Sequence, residues 1–359
     1  MRIHQVLATA APEDATTNSC FELRALLRRT GPSDLFARNI HHELAGEVVP
    51  LAEYDRHVPR PSRDDIILLH LSIGEPDLFS FLLERPERVI LIYRNISPAA
   101  LYLQFDPAFA SLLEDGRQEL AALRDRVVLA LADSSYNADE LVGLGYADVR
   151  VSRLVVDPRR LQSVVPDEAA SRRLAGLGGP VLLFVGQLLP HKRPDLLLKA
   201  FHILITYLVP DARLLMVGNS QRLPAYRKAL ERFRDELNLQ WALIDGSVSD
   251  PEFVAYYRRA DVFVTASEHE GFCVPLLEAM AFEVPIVARA HAAIPETLGD
   301  AGLLLPPDDD PALLAEALAE LIRNAGLRRE LIGRGRARLD EFDPDTARAA
   351  VLQHVLSVA

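Results

Sequence analysis

The sequence predicts an α/β protein built from two doubly wound, Rossmann-like halves, on three observations. Short, continuous apolar runs recur along the chain with helical patterns between them, as parallel strands buried on both faces require. That alternation halts at Gly176-Leu177-Gly178-Gly179-Pro180 and then restarts, so the glycine-rich stretch reads as a linker. A length of 359 residues suits two large domains.

In chain order, the first strand is read at Met1-Arg2-Ile3-His4-Gln5-Val6-Leu7. The charge at this start superficially suits a secretory leader, but the apolar core is short and broken by His4 and Gln5. A polar loop, residues 11–19, follows, and Asn18 or Ser19 is the expected cap of a helix reaching about Arg29. Asp14 in this loop is a candidate substrate contact; the alternative is a solvated loop acid. Strands are expected at 66–70, 89–93 and 127–132. His70 and Arg94 then fall at strand C-terminal ends, where such sheets place ligands. For His70 the competing reading is a hydrogen-bonded core histidine. Residues 149–158 read as the last strand of this half.

The second half restarts at Val181-Leu182-Leu183-Phe184-Val185-Gly186. Helices are expected at 194–207, about 224–237 and 252–259, with strands at 213–218, 241–246 and 262–265. Strands at 285–288 and 302–306 follow, and a Pro-initiated amphipathic helix runs from 344 to 358.

Hydrophobic and charged contents of 49% and 25% describe an ordinary globular chain. A net charge of −12 argues against a nucleic-acid partner, which would need a basic face. Arg28, Arg29, Arg38, Arg56, Arg60 and Arg63 cluster near the start, interleaved with acids, so they read as solvated surface; peripheral membrane contact stays open. No apolar run of about 18 residues spans a membrane. Cys20 and Cys273 form no disulfide framework, which fits a reducing, cytoplasmic setting. No cluster with metal-ligand spacing is read, and no resident cofactor is expected.

The chemistry concentrates in Ser267-Glu268-His269-Glu270-Gly271-Phe272-Cys273-Val274-Pro275-Leu276-Leu277-Glu278-Ala279-Met280-Ala281. An apolar strand precedes it and helix formers follow, so it reads as strand, loop, helix. Pro275 suits the first helical turn, and Gly271 lets a ligand approach the backbone. The N–H groups of Phe272, Cys273 and Val274 are placed at the helix entrance, where the dipole favours an anion such as phosphate. Glu270 and Glu278 frame that entrance, an arrangement suited to a sugar nucleotide. The alternative is that Glu278 only complements the helix dipole and Glu270 is a surface acid.

This stretch resembles the E-x7-E motif of retaining glycosyltransferases of the GT-B fold, family 4. The resemblance implies that Glu270 contacts the donor sugar and Glu278 the ribose hydroxyls. It extends to Gly186-Gln187-Leu188-Leu189-Pro190-His191-Lys192, where Lys192 matches the lysine that neutralises the donor diphosphate and Gly186 opens the loop. Gln187 stands where that family has arginine. Tyr93-Arg94-Asn95-Ile96-Ser97-Pro98 resembles a segment of related bacterial transferases in which a histidine occupies the place of Arg94. Arginine does not carry protons near neutral pH but binds phosphate bidentately, so Arg94 is a candidate to supply the cation that Gln187 does not; the alternative is an ion pair with Glu75 or Asp77.

The resemblance further implies that the last helix returns to the first half. The expected domains are 1–162 plus 343–359 on the acceptor side and 163–342 on the nucleotide-sugar side. The implied activity is metal-independent transfer of a hexose, with retention, from a UDP- or GDP-sugar to a glycan or lipid-linked acceptor in surface polysaccharide or glycolipid assembly. Catalytic roles fall on Lys192, Glu270 and Arg94. Asp14, His70, Gly186, Gln187, Gly271, Phe272, Cys273, Val274 and Glu278 are the binding candidates. A sugar-nucleotide epimerase and a non-catalytic, partner-binding subunit are the other readings.

Overall fold

Alternate residues of the apolar runs build the first sheet. Its strands are β1 (Ile3–Ala10), β2 (Leu35–Ile40), β3 (Val49–Pro50), β4 (Ile66–Leu71), β5 (Arg88–Tyr93), β6 (Val127–Ala132) and β7 (Val149–Val151), paired in parallel in the order β3-β2-β1-β4-β5-β6-β7. On one face Ile66, Leu68, Ile90, Ile92, Leu129 and Leu131 meet Leu23 and Leu27 of the helix Ala15–Leu27 and Val351 and Val355 of the helix Pro344–Leu356. Residues two apart share a sheet face, and residues four apart share a helix face, so both patterns converge on one core. The structure, a computed structural model, describes residues 1–12, 14–219 and 221–358; Glu13 of the expected polar loop lies outside them.

The chain divides into two units: Met1–Leu103, Pro107–Val156 and Asp343–Ala359 form the first, and Gln104–Asp106 with Asp157–Phe342 the second. Passage into the second unit thus comes at Asp157, where the reading of the sequence put it at 163. The last helix belongs to the first unit. Pro344 starts it, Asp343 caps it by accepting from Thr346 N (2.7 Å), and Arg348 reaches Glu22 (3.1 Å) on Ala15–Leu27.

Two local expectations are corrected. The first helix is capped by Asp14, not by Asn18 or Ser19: its carboxylate accepts from Thr17 N (2.8 Å) and Thr17 Oγ1 (2.9 Å). A side chain that satisfies the first helical N–H groups at its own helix end outcompetes one a turn further on. The strand read over 149–158 is short, Val149–Val151, because Arg153 and Pro158 interrupt its apolar pattern.

The second unit holds β8 (Val181–Val185), β9 (Arg213–Val217), β10 (Ala242–Asp245), β11 (Val262–Thr265), β12 (Ile286–Arg289) and β13 (Leu303–Leu305), all parallel in the order β10-β9-β8-β11-β12-β13. The order reverses between β8 and β11. Ligands of such sheets bind in the crevice outside the strand C-termini at that reversal. The two loops leaving it are those that carry Gly186–Lys192 and Glu270–Cys273.

Candidate functional site

In the second unit, β8 ends into Gly186, whose N–H donates to Val217 O (2.9 Å). Gly218 lies against it with φ +145, and a Cβ there would come within 2.2 Å of Gly186 O. Two backbones in contact fix where the loop begins. Gln187 is exposed, and a turn at Pro190–Lys192 follows, closed by Arg193 in the left-handed region (φ 51). Arg193 is held there by Asp195 (3.0 Å), Glu268 (3.2 Å) and Asp309 (2.7 Å); burial works against its charge, and Asp195 and Asp309 more than offset it and raise its pKa. Glu268 N–H donates to His191 O (2.9 Å), tying this loop to the one after β11.

These constraints bring Lys192 and Glu270 together: Lys192 Nζ donates to Glu270 Oε1 at 2.6 Å, with the side chains only 17% and 9% exposed. Burial works against the ammonium, but Glu270 more than offsets it and the Lys192 pKa is raised. Cys273 joins them. Burial pushes its thiol well above the ordinary range, and Glu270, with which it hydrogen-bonds, pushes the same way, so it is a neutral S–H beside a carboxylate. Cys273 also opens the helix Val274–Ala281 in the left-handed region (φ 71), with Pro275 in the first turn. The loop is anchored from the far side by Ala293 N–H to Glu270 O (3.2 Å) and Thr297 Oγ1 to Phe272 O (2.6 Å).

Glu278 sits further along that helix and has a different partner, Tyr257, whose hydroxyl donates to Oε2 at 3.0 Å. Burial raises the Glu278 pKa to about 7, against the opposing pull of that hydrogen bond. Tyr257 stacks on Phe282, with ring centroids 5.0 Å apart at 12°. The structure therefore gathers Gly186, Lys192, Glu270, Gly271, Phe272, Cys273 and Val274 on two adjoining loops, and places Glu278 on the helix that follows. Tyr257, Arg193, Asp309 and Thr297 were missed by the sequence reading. Only Arg193, directly after Lys192 and before a proline, carried a local signal.

In the first unit, Arg94 follows β5 and Asp133 follows β6, so parallel pairing sets them side by side. Arg94 Nη1 donates to Asp133 Oδ1 (2.8 Å), and their side chains are 7% and 6% exposed. Arg94 Nη2 donates to Ser19 Oγ (2.9 Å) and faces His70 Nδ1 at 3.4 Å. Gln5 Nε2 donates to Cys20 O (3.0 Å), which leaves Gln5 Oε1 to accept from His70 Nε2 (2.9 Å). His70 is thus neutral with its proton on Nε2; burial, then Arg94, lowers its pKa well below the usual value. The acid paired with Arg94 is neither Glu75 nor Asp77: Glu75 caps its own helix at Asp77 N (3.3 Å), and Asp77 pairs with Arg38 (2.7 Å). Asp14 is the helix cap described above. Among the described residues, His41, His42 and Glu43 bring possible ligand atoms within 4.8 Å of one another on an exposed turn after β2, a grouping the sequence reading did not name.

Residues 167–338 match the family model described as Glycosyl transferases group 1. The chain is 29% identical over 248 residues to a D-inositol 3-phosphate glycosyltransferase of Xylanimonas cellulosilytica, covering 66% of this chain and 58% of that one. It is 30% identical over 227 residues to a GDP-mannose-dependent alpha-mannosyltransferase of Mycobacterium tuberculosis, covering 60% and 54%. The chain therefore spans about half the length of the curated relatives it matches. Its fold is that of Anabaena Alr3699/HepE, solved in complex with UDP-glucose, at a TM-score of 0.77 and 16% identity over 99% of this chain and 100% of that one.

Proposed function

We propose that the chain, whose residues 167–338 match the model of the glycosyl transferases group 1, is a retaining glycosyltransferase of the GT-B fold. It moves a hexose from a UDP- or GDP-linked donor to a glycan or lipid-linked acceptor, without a metal. The observation that carries this reading is the Lys192–Glu270–Cys273 cluster at the opening of the helix Val274–Ala281, beside the reversal in strand order. A cation, a helix entrance and a carboxylate within one loop pair suit a diphosphate bonded to a sugar.

In this reading the diphosphate lies on the backbone of Gly271–Val274 and on Lys192, Glu270 accepts from a sugar hydroxyl, and Glu278 accepts from the ribose. As the glycosidic bond breaks, charge grows on the departing phosphate oxygen, and Lys192 stabilises it. That oxygen takes the proton of the acceptor hydroxyl as the new bond forms on the same face. Glu270 positions the sugar and forms no covalent bond. Relatives are named as a GDP-mannose-dependent alpha-mannosyltransferase and, in Escherichia coli, as an O-antigen chain mannosyltransferase, which supports a role in assembly of cell-surface polysaccharide or glycolipid. In the structure, no helix among the described residues is long and apolar enough to cross a membrane.

The test is release of nucleoside diphosphate from a panel of UDP- and GDP-sugars with a hydroxyl acceptor, with the product anomer read by NMR. Diphosphate release with a retained anomer supports the transfer. Donor isomerised without diphosphate release identifies an epimerase, and nucleotide binding with neither reaction identifies a non-catalytic subunit, the reading that the exposed Gln187 favours.

A further inference from the structure

The first unit carries a second cluster of charge, at the N-terminal ends of β4, β5 and β6, the edge of the sheet opposite to Arg94 and His70. A depression of about 520 Å³ there is lined by Arg63, Arg85, Arg88 and Arg126 with Asp64 and Glu87. Four cations stand against Asp64, Glu87 and the Asp55 that pairs with Arg85, a local excess of one positive charge on a chain whose net charge is −12. The framework holding them is built from protein groups. Arg85 is bidentate on Asp55 (2.6 and 3.3 Å), and Arg126 Nε and Nη2 donate to the carbonyls of Leu82 (3.3 Å), Arg85 (2.6 Å) and Glu87 (2.6 Å). Arg88 donates to Asp64 O (3.4 Å) and Val358 O.

The lining is nonetheless under-satisfied. Among the described residues, Arg85 Nε, Arg88 Nε and Glu87 Oε2 are buried without a hydrogen-bond partner. Glu87 is fully buried, and its other oxygen takes the Tyr54 hydroxyl at 3.0 Å. Burial and the neighbouring Arg63 both disfavour the Arg126 charge, opposed by Glu87, and the Arg126 pKa is lowered. The ligand such a lining suits is a phosphate, which a guanidinium binds in planar, two-pronged fashion; the groups open to it are those of Arg63 and Arg126, the Nη atoms of Arg85 and Arg88 being taken by Asp55, Asp64 O and Val358 O.

We propose that this pocket binds a phosphate ester, with the exposed Arg63 and the outward face of Arg126 taking the phosphate oxygens above a floor stiffened by Arg85 and Arg88. Two sources carry that chemistry, a soluble phosphate ester and the headgroup of an anionic lipid. Calorimetry with glycerol 3-phosphate, and sedimentation with phosphatidylcholine vesicles with and without phosphatidylglycerol, separate them. Both are run on the full chain without nucleotide sugar, so the result stands apart from that of the transferase reading. Arg63→Glu is the test variant, and Arg232→Glu on the second unit matches its change in charge. Loss of one charge-assisted contact is expected to weaken binding roughly tenfold or more in Arg63→Glu, with Arg232→Glu close to the parent. Glycerol 3-phosphate binding sensitive to Arg63 assigns the soluble ester; vesicle binding alone, equally sensitive, assigns the headgroup. Binding that falls equally in both variants, or no binding in either arm, overturns the proposal.

Discussion

Lys192 and Glu270 neutralise one another at 2.6 Å. On the proposed function, a diphosphate competes with Glu270 for the Lys192 ammonium, and a carboxylate so released would accept from a sugar hydroxyl. This exchange separates two variants that would otherwise be expected to behave alike. Lys192→Ala is expected to lower kcat by roughly 10²–10³, the scale of one preorganised donor. Glu270→Gln is expected to lower transfer while binding sugar-free nucleoside diphosphate as tightly as the parent or more so. Weaker nucleoside diphosphate binding in Glu270→Gln, measured by calorimetry, would show that the two side chains do not compete. Glu278 makes a different prediction. Its pKa is raised to about 7 from an ordinary value of 4.5, so the stability held by the neutral acid is complete at low pH and is lost as pH rises through about 7. Glu278→Gln removes this loss, and its melting temperature should gain on the parent progressively between pH 5 and 8; a constant difference would mean the carboxyl is not buried as described. The positions of Lys192, Glu270 and Glu278 were legible because the loop lysine and the E-x7-E spacing are local patterns. Their partners were hidden: Tyr257 meets Glu278, and Asp133 meets Arg94, only across the packing of separate elements.

At the scale of elements, buried strands were the most legible part of the chain. β4, β5 and β6 are apolar on both faces and stand out from any background, whereas β2 turns polar at Arg38-Asn39 and β3 is two residues ending in Pro50, so neither gives a run to read. The helix reaching into 204–208 was read as continuous, but it closes in a π-helical turn, which periodicity does not distinguish. The contact between Gly186 and Gly218 belongs to this scale as well, since it joins the ends of β8 and β9. Gly218→Ala would place a methyl 2.2 Å from a carbonyl oxygen and require φ +145 of an L residue. We expect the loss of several degrees in melting temperature together with weaker nucleoside diphosphate binding, because the loop carrying Lys192 begins at that contact. A variant that is destabilised but binds normally would show that the loop's course is set elsewhere.

For the molecule as a whole, fold class followed from alternation of strand and helix patterns, and the second unit was the more readable because its loops hold the motif. The first unit carries no comparable pattern: its network of Gln5, His70, Arg94 and Asp133 draws on residues far apart in sequence, brought together by parallel pairing. The return of Pro344–Leu356 to that unit also bears on synthesis. Val351 and Val355 fill the same core as Ile3 and Leu23, so a ribosome has to pass residue 355 before the first sheet can be covered on that face. The second unit, complete by Phe342, is contiguous apart from Gln104–Asp106 and is not subject to that delay. The part made first is thus expected to mature last, and nascent chains stalled after 342 should resist protease across 157–342 while β1 to β7 stay cleavable. Protection of both units at that stage would mean the final helix fastens a sheet that has already formed.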